Sequence, residues 1–560
     1  MGLSINAERL AGAYRKTARI TLFQDVNLAA LLLFCALLFP FILSYHRNPI
    51  PSFYQEWVAI FLALAAAILV AARYRGERFD FPFSVWIPLA LMPSVAIHLV
   101  AGNALIVHGP PLHMIYIGSA ALLMIIGRKL CSAREAISLA DVMAAAFVAG
   151  ALASCVASWH WRFQTSVFDP LPWAPDMGWI GQRNQNGLHI WLGILGISHF
   201  LLNRKVSWFY FLVCVEILTE TSIYTHSRSV YLYAGCGLAL GVWAAAKSPA
   251  RDVRKRLLLI GMFPAIFLGA ILGTRLLLDL GDGSLGDDSR GNSGAIQRYA
   301  PATVIQDPRL GLWYAAAKIA LTNPWIGAGP GSYIRESWVI SDSLPSTVPN
   351  AVPSGHAHNL FLQIGAELGA VTALALAGFI GVWFFFALQQ SNWQRNWLYV
   401  AIPLAVLAHN QVEFSLWYLY FLVPTALSMG APSMRLAGKG VPALVVLISA
   451  VLGLGLAARL GQDYQSLEDE LVKADDADLG ALLSAAKHPI FGAWASAQIA
   501  SYPSFHGITP QRQNWHATRA LFVLPLPKPA LLRHTDALER EGKSAEAAVE
   551  QRVTRRVFGN

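Results

Sequence analysis

His358-Asn-Leu-Phe-Leu-Gln-Ile-Gly-Ala-Glu-Leu-Gly-Ala-Val-Thr372 places a titratable imidazole where a long polar loop gives way to an apolar run that continues to 388. A run of that length and composition predicts a membrane-crossing helix. At about 100° per residue, Gly365, Gly369 and Thr372 return to within about 40° of His358. A small-residue face is therefore expected under the ring, allowing a second helix to pack closely. Glu367 falls on the opposite side of the same helix, which argues against its direct pairing with His358. A histidine at a helix start is also an ordinary hydrogen-bonding residue, but ionisable groups at the edge of a membrane domain are functional candidates.

Outward from this stretch the chain remains apolar. Of 560 residues, 55 % are hydrophobic and 13 % charged, with a mean hydropathy of +0.46. Soluble globular domains carry about 25 % charged residues, so the composition excludes that class and predicts an all-α polytopic membrane protein. Apolar stretches near 26–46, 55–72, 84–101, 111–127, 137–157, 187–202, 206–222, 229–246, 257–274, 360–388, 397–410, 416–430 and 441–458 predict about 12–13 spans.

The net charge of +9 does not point to nucleic acid, because the basic residues sit in alternate short loops. Arg9, Arg15, Lys16 and Arg19 form one group; Arg73, Arg75 and Arg78 a second; Arg128, Lys129 and Arg134 a third. Arg204 and Lys205, then Lys247, Arg251, Arg254, Lys255 and Arg256, and finally Arg435 and Lys439 continue the alternation. The intervening short loops hold only Arg47, Arg162, Arg183 and Arg228. The positive-inside rule then puts the N-terminus in the cytoplasm and, with an odd span count, the tail from about 460 on the far side. The first apolar stretch is too long for a cleaved signal and is expected to remain as an anchor. None of the five cysteines falls in an external loop, so neither a disulfide framework nor a thiolate metal site is expected.

Four regions follow: N-terminal spans (1–275), a large external loop (276–358), C-terminal spans (359–459) and an external helical domain (460–560). The loop is too long to be a simple connector. It opens with an acidic flexible stretch at 281–294, predicts a helix over 310–321, and continues through Asn323-Pro-Trp-Ile-Gly-Ala-Gly-Pro-Gly331. That glycine-rich segment lacks the Lys-Ser/Thr of a phosphate loop and reads as tight turns. A second external region, 158–186, is rich in Trp and Pro. The tail is Ala-rich and charged, with helical periodicity over 467–486, 491–501 and 531–557.

Several residues could carry chemistry. An imidazole can take a proton from a hydroxyl nucleophile, and His356 competes with His358 for that role; spacing does not choose between them. Arg228 and Arg309 are either interface residues or guanidinium groups able to grip a phosphate. Arg290, Arg298 and Arg335 read as solvated loop charges. Gln182 and Asn184, within Gly181-Gln-Arg-Asn-Gln-Asn-Gly187, suit sugar hydroxyls or phosphate oxygens, or else cap a helix. Glu413, in His409-Asn-Gln-Val-Glu-Phe-Ser-Leu-Trp-Tyr-Leu-Tyr420, is costly to leave at a bilayer edge and is expected to pair with an arginine or a hydroxyl.

These passages together resemble the bacterial O-antigen ligase/polymerase superfamily, and most closely the PglL-type protein O-oligosaccharyltransferases. His358-Asn359, nine residues, Gly369, two residues, Thr372 is similar to the ligase histidine motif. Arg309 to Trp313, with Asn323-Pro324 and Gly327-Ala-Gly329, is similar to the superfamily's loop. Gly181-Gln-x-Asn184 and the 409–421 passage resemble the protein-glycosylating branch. Arg183 stands where that branch usually has proline, and Asn410 where serine is expected.

The resemblance implies a GT-C-like membrane glycosyltransferase working on the periplasmic side of the bacterial inner membrane. The implied donor is an oligosaccharide on undecaprenyl pyrophosphate, and the implied acceptor a Ser or Thr hydroxyl of a pilin-like or other periplasmic protein. His358 would activate the acceptor; Arg228 and Arg309 would bind the pyrophosphate; His356, Asn359, Gln182, Asn184 and Glu413 would support them. Pyrophosphate is a good leaving group, and displacement should invert the anomeric centre. With no paired external carboxylates and no metal-binding Asp motif, no metal or other cofactor is expected. The nearest alternative is a lipopolysaccharide O-antigen ligase with a lipid A–core acceptor, followed by a repeat-unit polymerase. A lipid-linked sugar transporter is disfavoured because no inverted repeat is evident and the polar residues gather at one face, away from the midplane.

Overall fold

In a computed structural model, residues 28–102, 109–132, 138–163, 175–225, 227–281, 307–345, 354–434, 440–473, 478–501, 509–523 and 526–558 are described. The basic N-terminal group, Arg134, Arg435, Lys439, Arg290, Arg298, nearly all of the acidic stretch and part of the Trp/Pro-rich region lie outside them.

The chain is an all-α polytopic membrane protein. Seven helices among the described residues are long and apolar enough to cross a membrane: Phe53–Arg73, Phe83–Ala101, Gly109–Ser132, Leu139–Trp159, Ser229–Lys247, Ala370–Leu388 and Ala443–Val472. Leu28–Ile42 and Leu419–Gly430 are shorter apolar helices. Arg183–Leu202, Trp208–Tyr224, Arg251–Gly281 and Trp393–His409 occupy the remaining positions where the hydropathy pattern places spans. Arg183–Leu202 is central: nearly every residue from Gln185 to Leu202 is buried, including Asn186, His189 and His199. A helix covered on all sides can carry such polar residues only where neighbouring helices meet them. One neighbour, Leu139–Phe163, approaches closely because Gly193 and Gly196 face Ala151 and the backbone of Ala144, the small-residue packing that membranes favour. A two-residue antiparallel ladder, Arg78–Phe79 with Val441–Pro442, ties two short loops together.

The expected 360–388 span is two helices. Leu360–Leu368 ends at Gly369, whose φ of 95° breaks the helix before Ala370–Leu388 begins. The cause is a long-range contact. A Cβ on Gly369 would lie 2.5 Å from the Trp325 carbonyl oxygen, and one on Gly327 would lie 2.3 Å from the Glu367 backbone. The Asn323–Gly331 turns are thus seated against the break, with Ala328 and Gly329 N–H groups donating to the carbonyls of Ala366 and Glu367. His358 itself precedes the helix with φ 52°. The continuous face through His358, Gly365, Gly369 and Thr372 therefore does not form. Gly365 still packs closely, against Ala320 of the loop helix Pro308–Thr322.

The tail forms short helices at Leu479–Ala485, Gly492–Ser501, Pro510–Ala520, Lys528–Arg540 and Ser544–Phe558. The expected helix over 467–486 is not one element, because Ala443–Val472 carries its final turns straight out of the span. Tyr464, Leu482 and Phe491 bury against Phe53, Tyr54 and Ile115. Ala497, Ala517 and Leu531 enclose Trp338 from the large loop. The tail is docked on both the spans and the loop.

Candidate functional site

Four helix beginnings supply the polar residues around Glu413: Arg183–Leu202, Ser229–Lys247, Pro308–Thr322 and Leu360–Leu368. Gln182 caps the first, its side-chain oxygen accepting from the Gln185 N–H at 2.8 Å. Asn359 caps the last, accepting from Leu362 N–H, while its amide donates to the Gln411 carbonyl at 3.3 Å. Asp307 caps the loop helix through the Arg309 N–H. Helix N-termini carry partial positive charge, so this grouping favours anions before any side chain is counted.

Glu413 is the hub. It lies in the turn after Trp393–His409 and is buried. One carboxylate oxygen accepts from Asn184 Nδ2 at 2.6 Å and from the Arg309 guanidinium; the other lies 3.1 Å from His358 Nδ1. Burial alone would raise its pKa, but the His358 hydrogen bond and the charges of His358 and Arg309 outweigh that and hold it at about 2. An ionised Glu413 accepts the Nδ1–H of His358, so in the neutral ring the lone pair is left on Nε2. The Phe414 ring meets His358 edge-on, with centroids 4.9 Å apart, and limits its rotation.

The arginines are held side by side. Asp307 Oδ2 lies 3.5 Å from Arg228 and 3.8 Å from Arg309. Both arginines keep partial solvent exposure, so an incoming anion can compete for them. Behind Glu413, the Tyr233 hydroxyl meets His409 Nδ1 and braces the end of the Trp393–His409 helix. Arg335, by contrast, pairs with its neighbour Glu336 and stands over the Phe522 ring of the tail.

His356 is separated from His358 by its surroundings. Its ring stacks on Phe414 at 4.1 Å and meets the edge of Trp417, and its Nδ1 is buried with no partner. Burial, with a smaller contribution from His358, pulls its pKa down to about 3. His356 is a neutral packing ring. Glu367 does not pair with His358, although His358 lies before the helix and the helical wheel therefore does not apply to it: Glu367 accepts from Gln363 and from Tyr333 N–H, and lies 3.6 Å from His113. Among the described residues no group of three or more His, Cys, Asp or Glu side chains is placed to hold a metal ion.

The sequence reading did not find Asp307, the Glu413–His358 contact, or the Tyr233–His409 brace. The last two join residues far apart in the chain, and the partner expected for Glu413, an arginine or a hydroxyl, pointed to neither.

Residues 217–377 match the O-antigen ligase family. This segment contains Arg228, Asp307, Arg309, His356, His358 and Asn359. The chain is also similar to a General O-oligosaccharyltransferase of Acinetobacter baylyi (strain ATCC 33305 / BD413 / ADP1), 23 % identical over 292 residues, which are 50 % of this chain and 48 % of that protein. The chain thus spans about half the length of the curated relative it matches. The segment that matches the O-antigen ligase family contains the histidine and both arginines, and the resemblance drawn from the His358–Thr372 motif agrees with both likenesses.

Proposed function

We propose that the protein is an O-oligosaccharyltransferase that moves a glycan from undecaprenyl pyrophosphate to Ser or Thr hydroxyls of periplasmic proteins, pilin-like proteins among them. The site lies on the periplasmic face of the inner membrane, with the N-terminus in the cytoplasm and the tail outside. One observation carries the reading: an imidazole with Nε2 available, oriented by an ionised carboxylate, beside two guanidinium groups bridged by one aspartate.

In the reaction, Nε2 of His358 takes the proton of the acceptor hydroxyl as its oxygen bonds to the anomeric carbon. The bond from that carbon to the phosphate oxygen breaks, and its electron pair leaves with the diphosphate. Arg228 and Arg309 stabilise the charge that develops there. Attack opposite the leaving group inverts the anomeric centre, and no metal or other cofactor takes part. Asn184 and Asn359 keep Glu413 and the His358 backbone in place, and Gln182 fixes the helix that carries Asn184.

A second reading, transfer to lipid A–core, is favoured by the family description of the 217–377 segment. Radiolabelled lipid-linked oligosaccharide incubated with the purified protein, a pilin-like acceptor and lipid A–core separates the two. Label on protein supports the proposal; label on lipid alone supports the second reading; label on neither contradicts both.

A further inference from the structure

The loop helix Pro308–Thr322 has two apolar faces. Leu312, Ala316 and Ile319 are buried on the side that includes the Leu360–Leu368 contact. On the other side Leu310, Tyr314 and Leu321 fall within about 40° of one another at helical spacing, and all are exposed, Leu321 at 79 %. The row continues past the helix into Trp325, exposed at 74 %. A contiguous exposed apolar row marks an interaction surface.

Its position identifies the partner. The Ile326 carbonyl accepts from Ser94 Oγ at 3.0 Å and lies 2.9 Å from His98 Nε2, near the end of the Phe83–Ala101 span. The Pro324 carbonyl accepts from Val371 N–H at 3.2 Å, at the start of the Ala370–Leu388 span. The row therefore meets two spans at their ends, and its apolar surface runs on into Val371 and Leu374, the latter exposed at 73 %. Length and apolarity assign that surface to lipid. A tryptophan at such a boundary is a typical interfacial anchor.

We propose that Pro308–Thr322 and the turn after it lie in the headgroup region of the bilayer, with Leu310, Tyr314, Leu321 and Trp325 among the acyl chains. Arg309 sits at the N-terminus of this same helix. Granting the transferase reading, the anchor sets the level at which Arg309 meets a diphosphate borne on a membrane lipid.

The test uses full-length protein carrying Leu321→p-benzoylphenylalanine, Tyr314→p-benzoylphenylalanine or, in the tail, Trp515→p-benzoylphenylalanine. Each is placed in nanodiscs of phosphatidylethanolamine and phosphatidylglycerol, irradiated and read by mass spectrometry. Phospholipid adducts at 321 and 314 several-fold above those at 515 are expected. Lipid labelling no higher than at 515, or adducts to a second copy of the chain, overturn the proposal. Photolabelling needs no turnover, so its failure is distinct from failure of the transferase reading.

Discussion

Two of the histidine–carboxylate pairs among the described residues, one in the tail and one beside the large loop, make an instructive contrast. In the tail, His534 Nδ1 lies 2.5 Å from Glu550, and its Nε2 lies 2.9 Å from the Thr518 hydroxyl. In the loop region, His358 Nδ1 lies 3.1 Å from Glu413. As isolated motifs the two are hard to tell apart, and the tail pair even includes a hydroxyl. Their surroundings differ. The His534 side chain is 3 % exposed, while that of His358 is 21 % exposed. Thr518 also donates back to the Asn514 carbonyl of its own helix, so its hydroxyl is committed to structure. The tail pair joins three short helices around a buried centre. The His358 pair sits at an open edge with two arginines and several helix N-termini nearby. A dyad becomes a candidate for chemistry when one ring nitrogen remains open and the surrounding charge suits a leaving group.

The comparison breaks most sharply on turnover. His358→Asn should lower glycan transfer by about 10²–10⁴-fold, the usual worth of a general base, whereas His534→Asn should leave the transfer rate of the folded fraction unchanged. Transfer assays normalised to folded protein check both. Arg228→Ala and Arg309→Ala should follow, each lowering transfer by about 10²–10³-fold if the guanidinium stabilises developing charge. Arg309 is expected to lose more because it also neutralises Glu413.

On stability the order reverses. Removing His534 leaves Glu550 buried without its partner, which costs about 3–5 kcal/mol, and hydrogen exchange should show the tail helices opening first. Glu413→Gln gives a pH signature. Because the Glu413 pKa is lowered, its ionised form stabilises the fold fully above the ordinary carboxylate range. That contribution is lost as pH falls toward about 2. The stability gap between wild type and Glu413→Gln should therefore be constant at neutral pH and narrow only in acid; melting curves across pH measure it. The smallest effect belongs to Arg552→Ala. Arg552 pairs with Asp342 at 2.9 Å and is largely exposed, so the loss should be below about 1 kcal/mol by denaturation.

Much of this was legible because local pattern and local structure agree. Hydropathy located the apolar helices of the membrane domain, 310–321 falls within the observed Pro308–Thr322, and Glu413 was expected to pair with an arginine or a hydroxyl, whereas Tyr333–Ser341 and Pro510–Ala520 carried no comparable signal. What was missed depends on contacts between distant residues. Gly365-x-x-x-Gly369 reads as a packing face on one helix, yet Gly369 is a break, because the Trp325 carbonyl occupies the space a side chain would need. His358 and Glu413 are 55 positions apart, and no periodicity links a loop end to a turn between two other helices. The choice between His356 and His358 also rests on tertiary packing: Phe414 stacks on one ring and meets the other at its edge.

The central claim is that His358 acts on the acceptor and not on the donor. Binding of a lipid-linked oligosaccharide and its transfer to a Ser- or Thr-containing acceptor, measured side by side for wild type and His358→Ala in nanodiscs, test it directly. Donor binding within a few-fold of wild type together with loss of transfer is the predicted result. Transfer at the wild-type rate by His358→Ala would contradict the account.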